Sequence, residues 1–439
     1  MKIIQVLNHF LPDQTAGTEV YTWALSKELK HKGIDVKVVI PNYGDSHDNE
    51  YIYDGLRVYQ FAEPTIVDRS LIMGFREPDG LSSFIAYLKK EKPHIVHFHE
   101  LVGSNGIGLA HVRAAKKCGA KVIMTLHLAG YTCSTGTLMY KGTIPCDGKI
   151  SDFKCSTCYL HNKGLKNTSY LLAGASIILN RLNIDPSKWG NPIGTGLGIA
   201  NLTVRLRNNL NELIELCDQI VCISKWYQKV LFLNNIDTRK ITFIGQGLPI
   251  QNTSFFVNIE KSSCLRLMFL GRITPIKGLH LLIDALAFFK ETEFELSIFG
   301  NSDGTNYESS LREKTKDKSN INWRGSLSQD KVQEQMRAHD LLCLCSTVCE
   351  MSPLVIQEAR EAELAVLVSN VYGNKEQLNE GATGLLFEIN NIESLKNQLS
   401  KLVENRNLLN EMKSKILSPR NFTLVGDEYI KLYEKTNEQ

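Results

Sequence analysis

The residues best suited to chemistry lie in the run CEMSPLVIQEA, residues 349–359, directly after the apolar stretch 341–345. Ser352 suits a helix N-cap and Pro353 the first helical position, so a loop ends there and a helix begins with outward-facing amides that lack partners. Such amides attract anions. Glu350 falls in the loop and Glu358 about a turn and a half into the helix, which sets two acceptor-only groups near one anion-attracting helix end. Hydroxyls of sugars and riboses are the donors that such carboxylates bind.

A second run, GRITPIKG at residues 271–278, follows the apolar stretch 265–270. Arg272 offers a planar fork and Lys277 a mobile point charge, and together they neutralise a diphosphate, each charge-assisted bond contributing about 1.5–3 kcal/mol. Taken alone, the loop reads first as a surface turn whose cations pair with nearby carboxylates. Beside Glu350 and Glu358 it reads as a ligand loop at a strand's carboxyl end.

Histidines and cysteines supply the remaining reactive groups. His97 and His99 flank Phe98, so alternation sends both to one face, where a hydrogen-bonded scaffold is their commoner use. His127 ends an apolar strand beside Gly130 and Tyr131, where a cleft should open. Cys133, Cys146, Cys155 and Cys158 fall in one excursion, residues 130–160, the last pair as C-x2-C. That spacing leaves three readings: a structural zinc on four thiolates, unliganded thiols, or a redox pair. The other seven cysteines sit mostly in apolar strands or at helix ends and read as small buried hydrophobes.

The elements that must position these groups alternate. Strands are expected at 2–7, 36–40, 95–98 and 121–126, with helices at 17–32 and 84–90. The pattern restarts with strands 265–270, 295–299, 341–345 and 365–369 and helices 279–290, 330–338 and 353–363. The chain therefore reads as α/β with two Rossmann-like domains, 1–247 and 248–420, joined where Pro249, Asn252, Thr253 and Ser254 interrupt the periodicity. A final amphipathic helix, Asp427–Thr436 within the terminal segment 421–439, is expected to pack back on the first domain.

Composition sets limits. At 439 residues and 43% apolar content, two full-sized cores are expected. A formal charge of +3, with lysines scattered among glutamates, gives no nucleic-acid stripe. No run reaches the roughly 18 apolar residues of a spanning helix, and the start lacks a signal peptide's apolar region, so a cytoplasmic protein is expected. Residues 171–182, with Arg181, Arg205 and Arg207 nearby, read first as a core helix and second as a peripheral contact with the inner face of a membrane or a lipid acceptor.

The pattern G-R-x4-K-G followed by E-x7-E resembles glycosyltransferase family 4, with the GT-B fold of two Rossmann-like domains facing across a cleft. The resemblance extends through PDQTAGTE at 12–19, PHIVHFHE at 93–100, VIMTLH at 122–127, VYGNKE at 371–376 and GATGLL at 381–386. It implies retaining transfer of a sugar from a UDP- or GDP-sugar to a saccharide or lipid-linked acceptor, in cell-surface polysaccharide, lipopolysaccharide or exopolysaccharide synthesis. It also implies that Arg272 and Lys277 hold the pyrophosphate, Glu358 the ribose and Glu350 a donor-sugar hydroxyl. Backbone amides at Met351, Ser352, Leu354 and Val355 would meet sugar and phosphate, Gly17 would form the phosphate-facing turn of the first domain, and His127 would lie near the reacting sugar. No Asp-x-Asp pair ends an apolar strand, so two cations and a helix dipole are expected in place of a catalytic metal. Met351-Ser352 and Ala16-Gly17 depart from the family's usual Gly-Phe and Gly-Gly. A sugar-nucleotide epimerase and a non-catalytic sugar-binding protein are the alternatives. The glycine run 103–108 is ordered G-x2-G-x-G, which argues against a nicotinamide site.

Overall fold

A computed structural model of the chain describes all residues except 64–68, 73–75, 103–105, 250–263, 303, 379–380 and 439. Most of the expected join, and the start of the glycine run 103–108, lie outside the described residues. The chain divides into two compact units. One comprises Met1–Lys141, Cys146–Pro249 and Asn421–Gln439, and the other Gly142–Pro145 and Ile250–Arg420.

Strands of the first unit are β1 (Lys2–Val6), β2 (Asp35–Tyr43), β3 (Asn49–Tyr53), β4 (Leu56–Glu63), β5 (Ile95–Phe98) and β6 (Lys121–Leu126). After the two-residue strands β7 (Met139–Tyr140) and β8 (Ile144–Pro145), the latter counted with the second unit, come β9 (Gln219–Cys222) and β10 (Ile241–Phe243). Eight of them form one sheet in the order β10-β9-β6-β5-β1-β2-β4-β3. Its central strands are near-continuous apolar runs, as sheets covered on both faces require, and Ile3, Ile4, Val96 and Ile123 have no exposed surface. Only the β3–β4 pair is antiparallel, closed by a two-residue turn in which Asp54 and Gly55 take φ of 46° and 76°. Helix Gly17–His31 turns Tyr21, Leu25 and Leu29 inward. Helix Phe422–Glu438, longer than expected, meets it through a 3.0 Å bond from the Tyr21 hydroxyl to that of Tyr429.

The second unit holds β11 (Leu265–Leu270), β12 (Phe294–Phe299), β13 (Ile321–Gly325), β14 (Leu341–Leu344), β15 (Ala365–Ser369) and β16 (Gly384–Phe387). They form a sheet in the order β13-β12-β11-β14-β15-β16, parallel throughout. Its two faces bury separate apolar clusters, one around Leu267, Leu282 and Leu395, the other around Met268, Met336 and Ile356. The order changes direction between β11 and β14, so the carboxyl ends of these neighbours diverge and open a crevice.

Candidate active site

Both chemistry-bearing loops of the second unit leave from that crevice. After β11, the Gly271 amide donates to the Phe299 carbonyl at 3.1 Å and the Ile273 amide to Asn301 at 2.9 Å, which ties the loop to the end of β12. Residues Pro275–Lys277 form a single 3-10 turn ended by Gly278 at φ 69°. A Cβ at Gly278 would lie 1.9 Å from the Cys345 carbonyl oxygen, so only glycine permits this approach. The Thr347 amide then donates to the Ile276 carbonyl at 2.9 Å, joining the loops after β11 and β14 through their backbones.

Side chains converge where the loops meet. Lys277 Nζ lies 2.6 Å from Glu350 Oε1, and the Ser346 hydroxyl donates to the same oxygen at 2.7 Å. Burial alone would raise the Glu350 carboxyl. The charge of Lys277, the bonds from Lys277 and Ser346 and the more distant charge of Arg272 outweigh it and hold the group below the usual carboxylate range. Arg272 is exposed and forms no ion pair among the described residues. Arg272, Lys277 and Glu350 thus form one cluster, and Ser346 is a member that the sequence did not single out.

Glu358 stands apart from that cluster. Its Oε1 accepts from Gln329 Nε2 at 2.8 Å, it has no ion-pair partner among the described residues, and burial pushes its carboxyl up. The helix bearing it spans Leu354–Glu361, and Pro353, at φ −65° and ψ 123°, is its N-cap. This corrects the expectation that Ser352 caps the helix and Pro353 begins it, because the extended ψ of Pro353 keeps it outside the helix. No side chain caps the first turn, so the amides of Leu354 and Val355 lack intrahelical acceptors. Met351 is buried and Ser352 half-buried beside them. Gly373 makes the Glu350–Met351 turn fit: a Cβ there would lie 1.9 Å from the Glu350 carbonyl oxygen. On the edge strand β13, the Trp323 indole donates to Thr315 Oγ1 at 3.1 Å and is covered by the Arg312 guanidinium at 4.4 Å.

In the first unit His127 follows β6, is 9% exposed, and is held at about 3 by burial. Its Nε2 lies 3.2 Å from His99 Nδ1, and His99 Nε2 lies 2.7 Å from Gln5 Oε1. With that oxygen as acceptor, His99 donates from Nε2 and receives the His127 Nε2 proton, which leaves the lone pair of His127 on Nδ1. His97 is scaffold, bonded to the Tyr433 hydroxyl at 2.7 Å and to Thr125 Oγ1 at 2.8 Å. Gly17 opens helix Gly17–His31 after an extended Ala16. Two residues on, Glu19 is buried, accepts from Gln14 Nε2 at 2.8 Å and is pushed up to about 7, chiefly by burial. Glu19 was not singled out from sequence, although it lies within the quoted run 12–19.

The four loop cysteines line one small cavity. Among the described residues no group of three or more histidine, cysteine or acidic side chains is arranged to hold an ion. Each of three sulfurs has a polar neighbour of its own. Cys158 accepts from the Lys141 amide at 3.1 Å and Cys155 from the Ser151 amide at 3.4 Å, while Cys133 Sγ lies 3.2 Å from Thr135 Oγ1. Burial raises the thiols of Cys146, Cys155 and Cys158 above their ordinary value. The zinc reading thus finds no support in the structure, and Cys155 and Cys158 lie on helix Asp152–Asn162.

Comparison with known proteins agrees with this architecture. Residues 251–417 match the glycosyl transferases group 1, and residues 15–143 match Glycosyltransferase Family 4. The chain belongs to the group 1, family 4 glycosyltransferases and has the GT-B fold. An uncharacterised glycosyltransferase of Methanocaldococcus jannaschii is 29% identical over 44% of this chain, and the match spans only 51% of that protein. The Escherichia coli UDP-Gal:alpha-D-GlcNAc-diphosphoundecaprenol alpha-1,3-galactosyltransferase is 24% identical over 92% of this chain and 90% of its own length. Among solved structures, HepE of Anabaena in complex with UDP and glucose superposes with a TM-score of 0.63, covering 99% of both chains at 13% identity.

Proposed function

We propose that the protein moves a hexose from a UDP-sugar to a saccharide carried on a lipid diphosphate, with retention at the anomeric carbon and without a catalytic metal. The observation that carries the reading is the Lys277–Glu350 pair at the divergence of β11 and β14, with Arg272 exposed beside it. An ammonium has three donors and Glu350 engages one, so Lys277 reaches a diphosphate oxygen while still anchored. Arg272 adds a fork to the same anion. As the sugar–phosphate bond breaks, negative charge grows on the departing diphosphate, and cations fixed beforehand reduce that barrier directly. The free amides of Leu354 and Val355 support the same charge from a helix end.

The far oxygen of Glu350 is suited to a donor-sugar hydroxyl, and Glu358, through its bond to Gln329, to a ribose. His127 Nδ1, an acceptor on a neutral ring, suits a hydroxyl of the reacting sugar, and Gly17 the turn facing the phosphate. In retaining transfer without a protein nucleophile, the acceptor hydroxyl attacks on the face that the leaving group vacates and gives its proton to a phosphate oxygen. UDP as the carrier and a lipid-linked acceptor are supported by what the E. coli relative acts on and by the UDP bound in HepE.

A thermal-shift series with UDP, GDP and their hexose conjugates tests the donor half, because a ligand that binds only the native state raises its melting temperature. UDP and UDP-hexoses should stabilise and GDP should not. Release of UDP only when a polyisoprenyl-diphosphate saccharide is added tests the acceptor half. Equal responses to UDP and GDP, or release of UDP without acceptor, would remove the corresponding half.

A further inference from the structure

Helices Asp152–Asn162, Ser169–Arg181 and Pro192–Leu197 form an insertion of the first unit with an apolar outer surface. Nine of the twenty exposed large hydrophobic side chains among the described residues fall between positions 153 and 193. Helix Ser169–Arg181 is patterned inside out. It buries Ser169, Ala173 and Ser176, while Leu171, Ile178 and the C-cap Leu182 are 76%, 60% and 64% exposed. At about 100° per residue those three share one stripe.

Close packing creates this inversion. Ser176 Oγ accepts the Ala200 amide at 2.9 Å, Ser169 Oγ donates to the Lys166 carbonyl at 3.0 Å, and Ala173 fits against Leu160 and Ile199. The next two short helices repeat the arrangement: a Cβ on Gly194 would lie 2.4 Å from the Pro186 carbonyl, and one on Gly198 would lie 2.4 Å from the Ser187 amide. Their large side chains have no room inward, and Trp189 and Ile193 stand 55% and 72% exposed.

Charge identifies what covers the stripe. From 153 to 198 there are five lysines or arginines and one acid, Asp185, which lies 3.7 Å from Arg205. Lys163, Lys166, Arg181 and Lys188 form no ion pair with a described residue. Pairing this surface with a second copy would oppose those four cations to themselves, whereas an anionic headgroup layer neutralises them. Tryptophan, tyrosine and aliphatic side chains ringed by lysines are the composition that settles at such a boundary. No described helix is long and apolar enough to cross a membrane, so the contact is interfacial.

We propose that this insertion docks the protein on an anionic phospholipid bilayer, with Leu171, Ile178, Leu182, Trp189 and Ile193 at the boundary of headgroups and acyl chains and the four unpaired cations on lipid phosphates. The inference does not rest on the transferase reading.

Co-sedimentation of the whole protein with phosphatidylcholine vesicles, with or without about one third phosphatidylglycerol, tests it. Binding is expected on the mixed vesicles and not on the neutral ones, with release in high salt. Two variants follow, Leu171→Ser/Ile178→Ser/Leu182→Ser and Lys163→Glu/Lys166→Glu/Arg181→Glu/Lys188→Glu. Each should lose at least about tenfold in partitioning, with unchanged melting temperature and UDP response, because every altered side chain faces solvent. Wild-type protein left in the supernatant, or undiminished binding by either folded variant, would overturn the proposal. Self-association abolished by the serine variant would also overturn it and assign the stripe to a second copy.

Discussion

The α-carbon of Gly373 faces the carbonyl oxygen of Glu350 so closely that a single added methyl would sit 1.9 Å from it. This glycine, on helix Tyr372–Glu376, sets how far the Glu350–Met351 turn can settle toward the sheet and hence where the Glu350 carboxylate meets Lys277. Gly373→Ala should cost about 1–3 kcal/mol in stability by overpacking. It should also weaken the UDP response more than a surface control of equal stability. An unchanged response at native melting temperature would show that the turn does not depend on this contact.

Removing one partner of the ion pair leaves the other half-desolvated. Lys277→Ala should destabilise by about 1–3 kcal/mol and abolish the nucleotide-induced shift. Glu350→Gln should nearly restore stability in the Lys277→Ala background and still lack turnover. Urea unfolding of the double and single variants, beside an activity assay, separates structural from binding loss.

Two carboxyls in the first unit oppose alkaline conditions. Glu19 and Glu63 are each raised from 4.5 to about 7, burial first among the causes, and each has one oxygen without a partner. A folded pKa above the unfolded one means that the native state binds more protons. Stability is therefore full below about pH 4.5 and falls as pH rises through 7. Glu19→Gln should raise stability at pH 8 by about 1–3 kcal/mol and change little at pH 4.5. Equal effects at both pH values would contradict the assignment.

His127 should remain neutral at every working pH, since burial holds it at about 3. Turnover should show no ionisation near 6.5 that disappears in His127→Asn. His99→Phe removes the acceptor that orients the His127 ring, and should lower kcat on the order of 10- to 100-fold while leaving donor KM in place. A His127 resonance titrating near pH 6.5 by NMR would refute the neutral assignment.

The central strands were legible because they are buried on both faces, and β5, β6 and β11 coincide with the expected runs. The Lys277–Glu350 pair was legible only as two halves, since nothing in 73 residues of separation announces that Gly278 fits under the Cys345 carbonyl. Ser346 and Gln329 carry no pattern of their own and matter through where packing brings them. Residues 171–182 were legible as an apolar helix, but the first reading placed it in the core, because periodicity alone does not say that Leu171, Ile178 and Leu182 point outward. The β3–β4 hairpin went unread although Asp54-Gly55 is a turn pair, because β3 carries polar residues at Asn49 and Glu50 and no apolar run marks it as a strand. For the four cysteines, ligand spacing specifies neither where each sulfur points nor which amide it meets.

Helix Phe422–Glu438 completes the first unit with residues synthesised after the whole of the second. Until they emerge, Thr125 and His97 face an interior that lacks the hydroxyls of Tyr429 and Tyr433. The nascent first unit must wait at the ribosome with an unfinished polar seam, so the order of translation and the order of folding are opposed in this chain.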